Sequence, residues 1–153
     1  MGKKRTAYQK KLFESTGSTS DTSSNIYMSM LTSPAFRDLS AQQVKLYLFC
    51  KAQYYGEKRK PNDDPLCFTM NKSKWSGLYG LYDANNGYGF RRDMETLIEH
   101  GFVVCIECGA LTRTKSIYRF SSEWQRWNME GFVLQPSQMT LSMCRKRSKA
   151  AKP

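Results

Sequence analysis

Histidine is nearly missing from this chain: His100 is the only one in 153 residues. Paired histidines for a metal, or a histidine cluster beside a nucleophile, are therefore excluded. There is also no G-x-x-x-x-G-K phosphate loop, no G-x-S-x-G elbow and no carboxylate set at metal-ligand spacing. The expectation is a protein that is not an enzyme and takes no cofactor and no metal. Long apolar runs are lacking too, and none approaches the roughly 20 residues that cross a bilayer. The start, MGKKRTAYQKK, is basic but has no apolar segment behind it, so neither a secretory signal nor a membrane partner is expected. Gly2 and Thr6 fit only the loosest form of a myristoylation signal, and no lipid anchor is expected. Cysteines are few and odd in number: Cys50, Cys67, Cys105, Cys108 and Cys144. With their odd number, irregular spacing and no export signal, reduced thiols in a bacterial or similar cytoplasm are the expectation.

Positive charge, by contrast, is plentiful. The net charge is +11, but it is unevenly placed. Lys3, Lys4, Arg5, Lys10 and Lys11 against Glu14 leave +4 in residues 1–14. Arg145, Lys146, Arg147, Lys149 and Lys152 leave +5 at the other end, so only +2 remains between them. Most of the basicity thus sits in two tails. Such tails attract phosphate and speed association without reading sequence. Lys3, Lys4, Arg5, Arg145, Lys146 and Arg147 are the candidates for these non-specific contacts.

Hydrophobic residues make up 40% and aromatics 13%, enough for one packed domain with tails. Residues 1–25 end in STGSTSDTSSN and are too poor in apolar side chains to offset their ordering entropy, which predicts a disordered arm. Residues 26–130 hold the folding signals, and 131–153 form a basic tail. Ile26–Leu31 reads as extended. Ser33 and Pro34 start a short helix. Ser40 and Gln43 make a capping box for a longer one, with Val44, Tyr47, Leu48 and Lys51 on one face and Gly56 as its stop. The segment EKRKPNDDP (57–65) is a solvated loop. Leu66–Met70 reads as a strand, and Asn71 as the cap of a second helix running to about Tyr79.

After the glycine- and asparagine-rich link LYGLYDANNG, a third helix starts at Asn86 or Gly87. Phe90, Met94, Leu97 and Ile98 share its apolar face, Arg91, Arg92, Glu95 and Glu99 lie elsewhere, and Gly101 ends it with His100 in the last turn. Phe102–Glu107 and Ser116–Phe120 then read as a hairpin around a loop that carries Gly109, Arg113 and Lys115. Ser121 or Ser122 caps a last helix with Trp124 and Trp127, whose simplest role is core packing. Cys105 and Cys108 form a C-x-x-C-G, but a second pair is absent and strand geometry would turn them to opposite faces.

Helix, turn and hairpin in this order outline an α+β fold of the winged helix-turn-helix kind: three helices plus a β-hairpin wing, with a C-terminal helix and disordered basic tails. Arginine and asparagine at a helix start can bond base edges or phosphates, which singles out Asn86, Tyr88, Arg91 and Arg92. Thr112, Arg113, Thr114 and Lys115 put hydroxyls and cations at the hairpin tip, which is phosphate-contact chemistry. Glu95 and Glu99 would repel a phosphate backbone, so contact belongs to the first half of the helix. The alternative for both elements is ordinary solvated charge.

Ser33–Gly56, Asn85–Val103 and Ser116–Trp127 resemble the winged-helix proteins of plasmids, phages and conjugative elements, both replication-initiator-like domains and accessory DNA-binding proteins of transfer complexes. The likeness spans residues 27–127 and rests on Pro34, Leu39, Ser40 and Tyr47, on Leu97, Glu99, His100, Gly101 and Phe102, and on Phe120, Ser121 and Trp124. The link Gly77–Gly87 departs from it, being longer than a tight helix-turn-helix allows. The resemblance implies double-stranded DNA as the partner, held by Asn86, Tyr88, Arg91, Arg92, Arg113 and Lys115. It implies a role at an origin of replication or transfer, in a cytoplasm on the nucleoid or a plasmid, with replication or relaxosome proteins nearby. A homodimer is a further expectation, since one module this size reads few base pairs. The rival expectations are a transcriptional repressor using the same surface and a winged-helix adaptor that binds protein.

Overall fold

A computed structural model describes residues 24–54, 63–109 and 114–133 of the chain. The predicted arm up to residue 23, Gly56, most of the charged loop 57–65, the hairpin tip at 110–113 and the tail from 134 lie outside the described residues. The elements are α1 (Met28–Leu31), α2 (Pro34–Arg37), α3 (Ala41–Lys51), β1 (Cys67–Thr69), a π-helix (Ser73–Leu78), α4 (Gly87–Glu99), β2 (Val103–Glu107), β3 (Ile117–Phe120) and a 3-10 turn (Glu123–Gln125). The strands form one antiparallel sheet with β3 between β1 and β2. The architecture is α+β, and no described helix is long and apolar enough to cross a membrane.

Local chemistry sets the helix starts. Ser33 Oγ accepts from the Phe36 N–H at 3.2 Å, with Pro34 at the first position of α2. At α3, Ser40 Oγ accepts from the Gln43 N–H and Gln43 Oε1 accepts from the Ser40 N–H at 2.8 Å, closing the predicted capping box. A cap of this kind contributes about 1 kcal/mol. The expected extended segment Ile26–Leu31 instead turns helical at Met28. Thr32 Oγ1 donates to Met28 O at 3.0 Å and Ser33 Oγ to Met30 O at 2.7 Å, so short-range side-chain bonds close the turn.

The face of α3 also differs from expectation. Leu46, Tyr47 and Cys50 are buried, Val44 packs at the margin, and Leu48 is exposed. Apolar residues run consecutively from Leu46 to Cys50, so the pattern alone does not single out one face. The helix ends at Lys51, ahead of Gly56. The second helix is π rather than α: the Tyr79 N–H reaches back five residues to Lys74 O at 2.9 Å. Asn71 does not cap it with its side chain, whose oxygen accepts from the Ser73 hydroxyl at 3.0 Å.

One sheet face carries Phe68, Val103, Cys105, Tyr118 and Phe120 into the core, where the predicted α4 face of Phe90, Met94, Leu97 and Ile98 meets them and α3. Cys105 and Cys108 do not part to opposite sides. The register shifts between Cys105 and Glu107, β2 ends there, and both thiols join the core. Burial pushes the Cys50 thiol well above its usual range.

Gly101 ends α4 with φ +77°. The Gly101 N–H bonds Ile98 O and the Phe102 N–H bonds Leu97 O, both at 3.0 Å, which closes a Schellman turn. The last helix is only the 3-10 turn, with the Glu123 N–H on Ser121 Oγ. Trp124 and Trp127 pack on the core as expected, Trp124 stacking on Phe102 and Trp127 on His100. His100 is buried. Its Nδ1 lies 2.8 Å from Thr96 O and its Nε2 2.8 Å from Asp38 Oδ2, tying the end of α4 to the residue that closes α2.

Candidate nucleic-acid interface

The first turns of α4 form the candidate surface. Asn86 is the N-cap: its Oδ1 accepts from the Gly89 N–H at 2.9 Å. A Cβ on Gly89 would lie 2.7 Å from that oxygen, so the glycine lets the cap close. The carboxamide oxygen of Asn86 is thereby engaged within the chain.

Tyr88 is 66% exposed and projects from the first turn. Arg91 is exposed, and its Nη2 lies 3.9 Å from where a Gly87 Cβ would sit, so the guanidinium runs back toward the helix start. Arg92 is also exposed, but it is tethered: Nε and Nη2 donate to Asp93 Oδ1 at 3.2 and 3.1 Å. Glu95 is half-buried and Glu99 exposed, both farther along α4. Tyr88, Arg91 and Arg92 are therefore brought together on the first half of one helix, as expected.

The hairpin contributes at its mouth. A Cβ on Gly109 would collide with the Thr114 carbonyl oxygen and crowd Ser116 N at 2.8 Å, so only glycine lets the two arms come this close. The Gly109 N–H also bonds Ser116 Oγ at 3.1 Å. Lys115 stands exposed just before β3. Thr112 and Arg113 lie outside the described residues, as do Lys3, Lys4, Arg5, Arg145, Lys146 and Arg147.

Lys74 joins the site without having been singled out in the sequence. Its Nζ donates to Thr69 O at 2.8 Å and to Thr69 Oγ1 at 3.0 Å, which holds it at the end of β1 that pairs with the start of β3. Desolvation, and next the charge of Lys115, lower the Lys74 amine. Lys74 and Lys115 stand at the same corner of the sheet, where Thr69 of β1 pairs with Ile117 of β3. Nothing in the sequence near Lys74 distinguishes it from Lys72, because the pairing of Thr69 with Ile117 is a long-range fact.

The other residue missed is Asp93. Its side chain is 1% exposed, and its carboxylate accepts from four donors. Besides Arg92, Gln43 Nε2 donates to Oδ1 at 3.3 Å and the Tyr82 hydroxyl to Oδ2 at 2.8 Å. Burial, and next the Asp93 carboxylate, push the Tyr82 phenol well above the usual tyrosine range. Tyr82 and Leu81 belong to the supposed loop, yet both are buried. Gln42 Nε2 bonds Leu81 O at 2.8 Å, and the Leu81 N–H bonds Trp75 O at 2.8 Å. The long link is thus pinned to α3, to the π-helix and to α4. The signal for Asp93 was present: it sits between Phe90 and Leu97 on the apolar stripe of α4, where a carboxylate needs partners.

A separate open cleft of about 750 Å³ lies away from these residues, bounded by Tyr27, Met30, Lys51, Arg119 and Trp124. Lys51 Nζ sits 5.1 Å from the Phe120 ring centre, and burial lowers its amine. The Arg119 guanidinium, 2.7 Å from Asp64, holds that carboxyl below the usual carboxylate range. Among the described residues, no group of three histidines, cysteines or carboxylates is placed to hold a metal ion.

No protein-family model matches the chain, and no curated protein or solved structure matches it either.

Proposed function

We propose that the chain is a non-catalytic winged-helix protein that binds duplex DNA through the first half of α4 and the β2–β3 hairpin. Its setting is the cytoplasm, at an origin of replication or transfer on a mobile element. The order α3, β1, π-helix, α4, β2, β3, with β3 between the other strands, supports the winged-helix reading. The observation that carries the binding site is the grouping of Tyr88, Arg91 and Arg92 on the outward side of α4 while its apolar face is buried. Lys115 and Lys74 add positive charge at the hairpin mouth. The basic tails supply salt-dependent attraction around this surface.

The test is a mobility shift with the full chain on duplexes of different sequence at two salt concentrations. Replacing Arg91 and Arg92 together by alanine is expected to weaken the preferred duplex by about 2 kcal/mol and flatten the difference between sequences. Replacing Lys3, Lys4 and Arg5 is expected to weaken all duplexes alike and reduce the salt dependence. If the helix pair changes nothing and the tail set removes all binding, α4 is not the reader.

A protein-binding adaptor is the second reading, favoured by the exposed Tyr27, Met28 and Tyr54 near the open cleft. A repressor would use the same α4 surface, and a footprint on the gene's own upstream region separates that role from replication or transfer.

A further inference from the structure

The Asp93 network bears on how α4 would read a base. Arg92 is mostly solvent-exposed, but the edge of its guanidinium formed by Nε and Nη2 is turned onto Asp93 Oδ1. The end-on edge, one Nη1 hydrogen beside the outer Nη2 hydrogen, takes no part in this network among the described residues. Asp93 cannot easily release the arginine. Its carboxylate is buried, and the other donors on it, Gln43 Nε2 and the Tyr82 hydroxyl, are neutral. Pulling Arg92 away toward a phosphate would leave a buried negative charge without a cation beside it, which is strongly unfavourable.

The carboxylate is itself fixed from three elements. Gln43 is on α3 and also serves the Ser40 capping box. Tyr82 comes from the link, and its ring packs against Trp75 and Phe90. Asp93 is on α4. A side chain held in this way loses little freedom when its remaining edge meets a partner.

We infer that Asp93 is a positioning residue that presents Arg92 as a fixed, end-on donor pair for the O6 and N7 of a guanine in the major groove, and not as a mobile phosphate tether. Two parallel donors match those two acceptors, and the buried Asp93 carboxylate keeps the side chain from swinging out to a phosphate. Arg91 and Lys115 keep the backbone-holding role. The inference rests on the duplex-binding reading and adds the base and the residue that aims the arginine at it.

The experiment uses the full chain and a randomised duplex library, from which the wild-type protein selects a preferred sequence. The affinity ratio between that duplex and an unrelated one is then measured for wild type, Asp93→Asn and Arg92→Lys, with a thermal melt of each. Asp93→Asn keeps the shape and removes the charge that holds the guanidinium. Arg92→Lys keeps the cation and removes the fork, and being at an exposed position it leaves the fold intact should Asp93→Asn not fold. For each folded variant the ratio is expected to fall about tenfold. The preferred duplex is expected to contain a guanine whose replacement by 7-deazaguanine costs wild type as much as Arg92→Lys does. A folded Asp93→Asn or an Arg92→Lys that keeps the wild-type ratio overturns the inference while leaving duplex binding standing. A wild-type chain that binds no duplex, or selects none, overturns the duplex-binding reading and the inference with it.

Discussion

Phe102→Ala is expected to lower folding stability by about 4 kcal/mol. Phe102 has no exposed surface. Its ring meets Tyr47 of α3 at 5.0 Å between centres, Phe36 of α2 at 6.2 Å and Trp124 of the 3-10 turn at 6.2 Å. Truncation would open a cavity where three elements join, and no single neighbour can collapse into it because each is anchored elsewhere. His100 and Asp38 hold the end of α4 to α2, and the Ser121 N–H is bonded to Phe102 O at 3.0 Å. Urea unfolding checks this. The midpoint should fall with the slope unchanged, and a loss under about 1 kcal/mol would mean the junction repacks freely.

Gly101→Ala, one residue earlier, is expected to cost about 3 kcal/mol for a different reason. Its φ of +77° disfavours any side chain. Space is also lacking: a Cβ there would stand 2.6 Å from both Glu123 C and Trp124 N. These are backbone atoms, and the Trp124 N–H is bonded to Gly101 O at 3.1 Å, so they cannot simply step aside. The change forces either the helix end or the 3-10 turn to move. Because Gly101 sets the angle between α4 and β2, the variant should also lose duplex binding faster than stability. Thermal unfolding and a binding titration on the same sample separate the two. A variant that melts like wild type would mean the turn relaxes without strain.

The helix α4 was legible because its apolar residues recur at helical spacing and its ends carry a capping asparagine and a stopping glycine. The hairpin was legible from two β-rich runs around a glycine, and the start of α3 from its reciprocal serine–glutamine cap. Other features depended on partners distant in sequence. Consecutive apolar residues hid the buried face of α3. The π-helix carries Trp75, which stacks on Phe90 of α4 at 5.1 Å and packs edge-on to Tyr82 of the link, contacts that no local pattern reveals. The Gly77–Gly87 link read as a loose connection because glycine and asparagine dominate it, yet Leu81 and Tyr82 anchor it in the core.

The candidate site was legible in its exposed members and obscure in its buried ones. Tyr88, Arg91 and Arg92 could be placed from helix phase alone. Asp93 was passed over, although an acid on an apolar stripe signals a buried network. Lys74 became part of the surface only through the pairing of β1 with β3. The Arg92 side chain, expected to be a probe of bases or phosphates, is also the charged partner of a buried carboxylate. That changes what its removal means, since Arg92→Ala strips a contact from the surface and a counter-charge from the interior together.

The most direct measurement is a titration of the isotope-labelled full chain with duplex DNA, followed by backbone amide shifts. The largest changes are expected on Tyr88, Arg91, Arg92 and Lys115 and should survive moderate salt, with smaller and salt-sensitive changes in the basic ends. Changes confined to the ends, or gathered at Tyr27, Lys51 and Arg119 around the open cleft, would contradict binding through α4 and the hairpin.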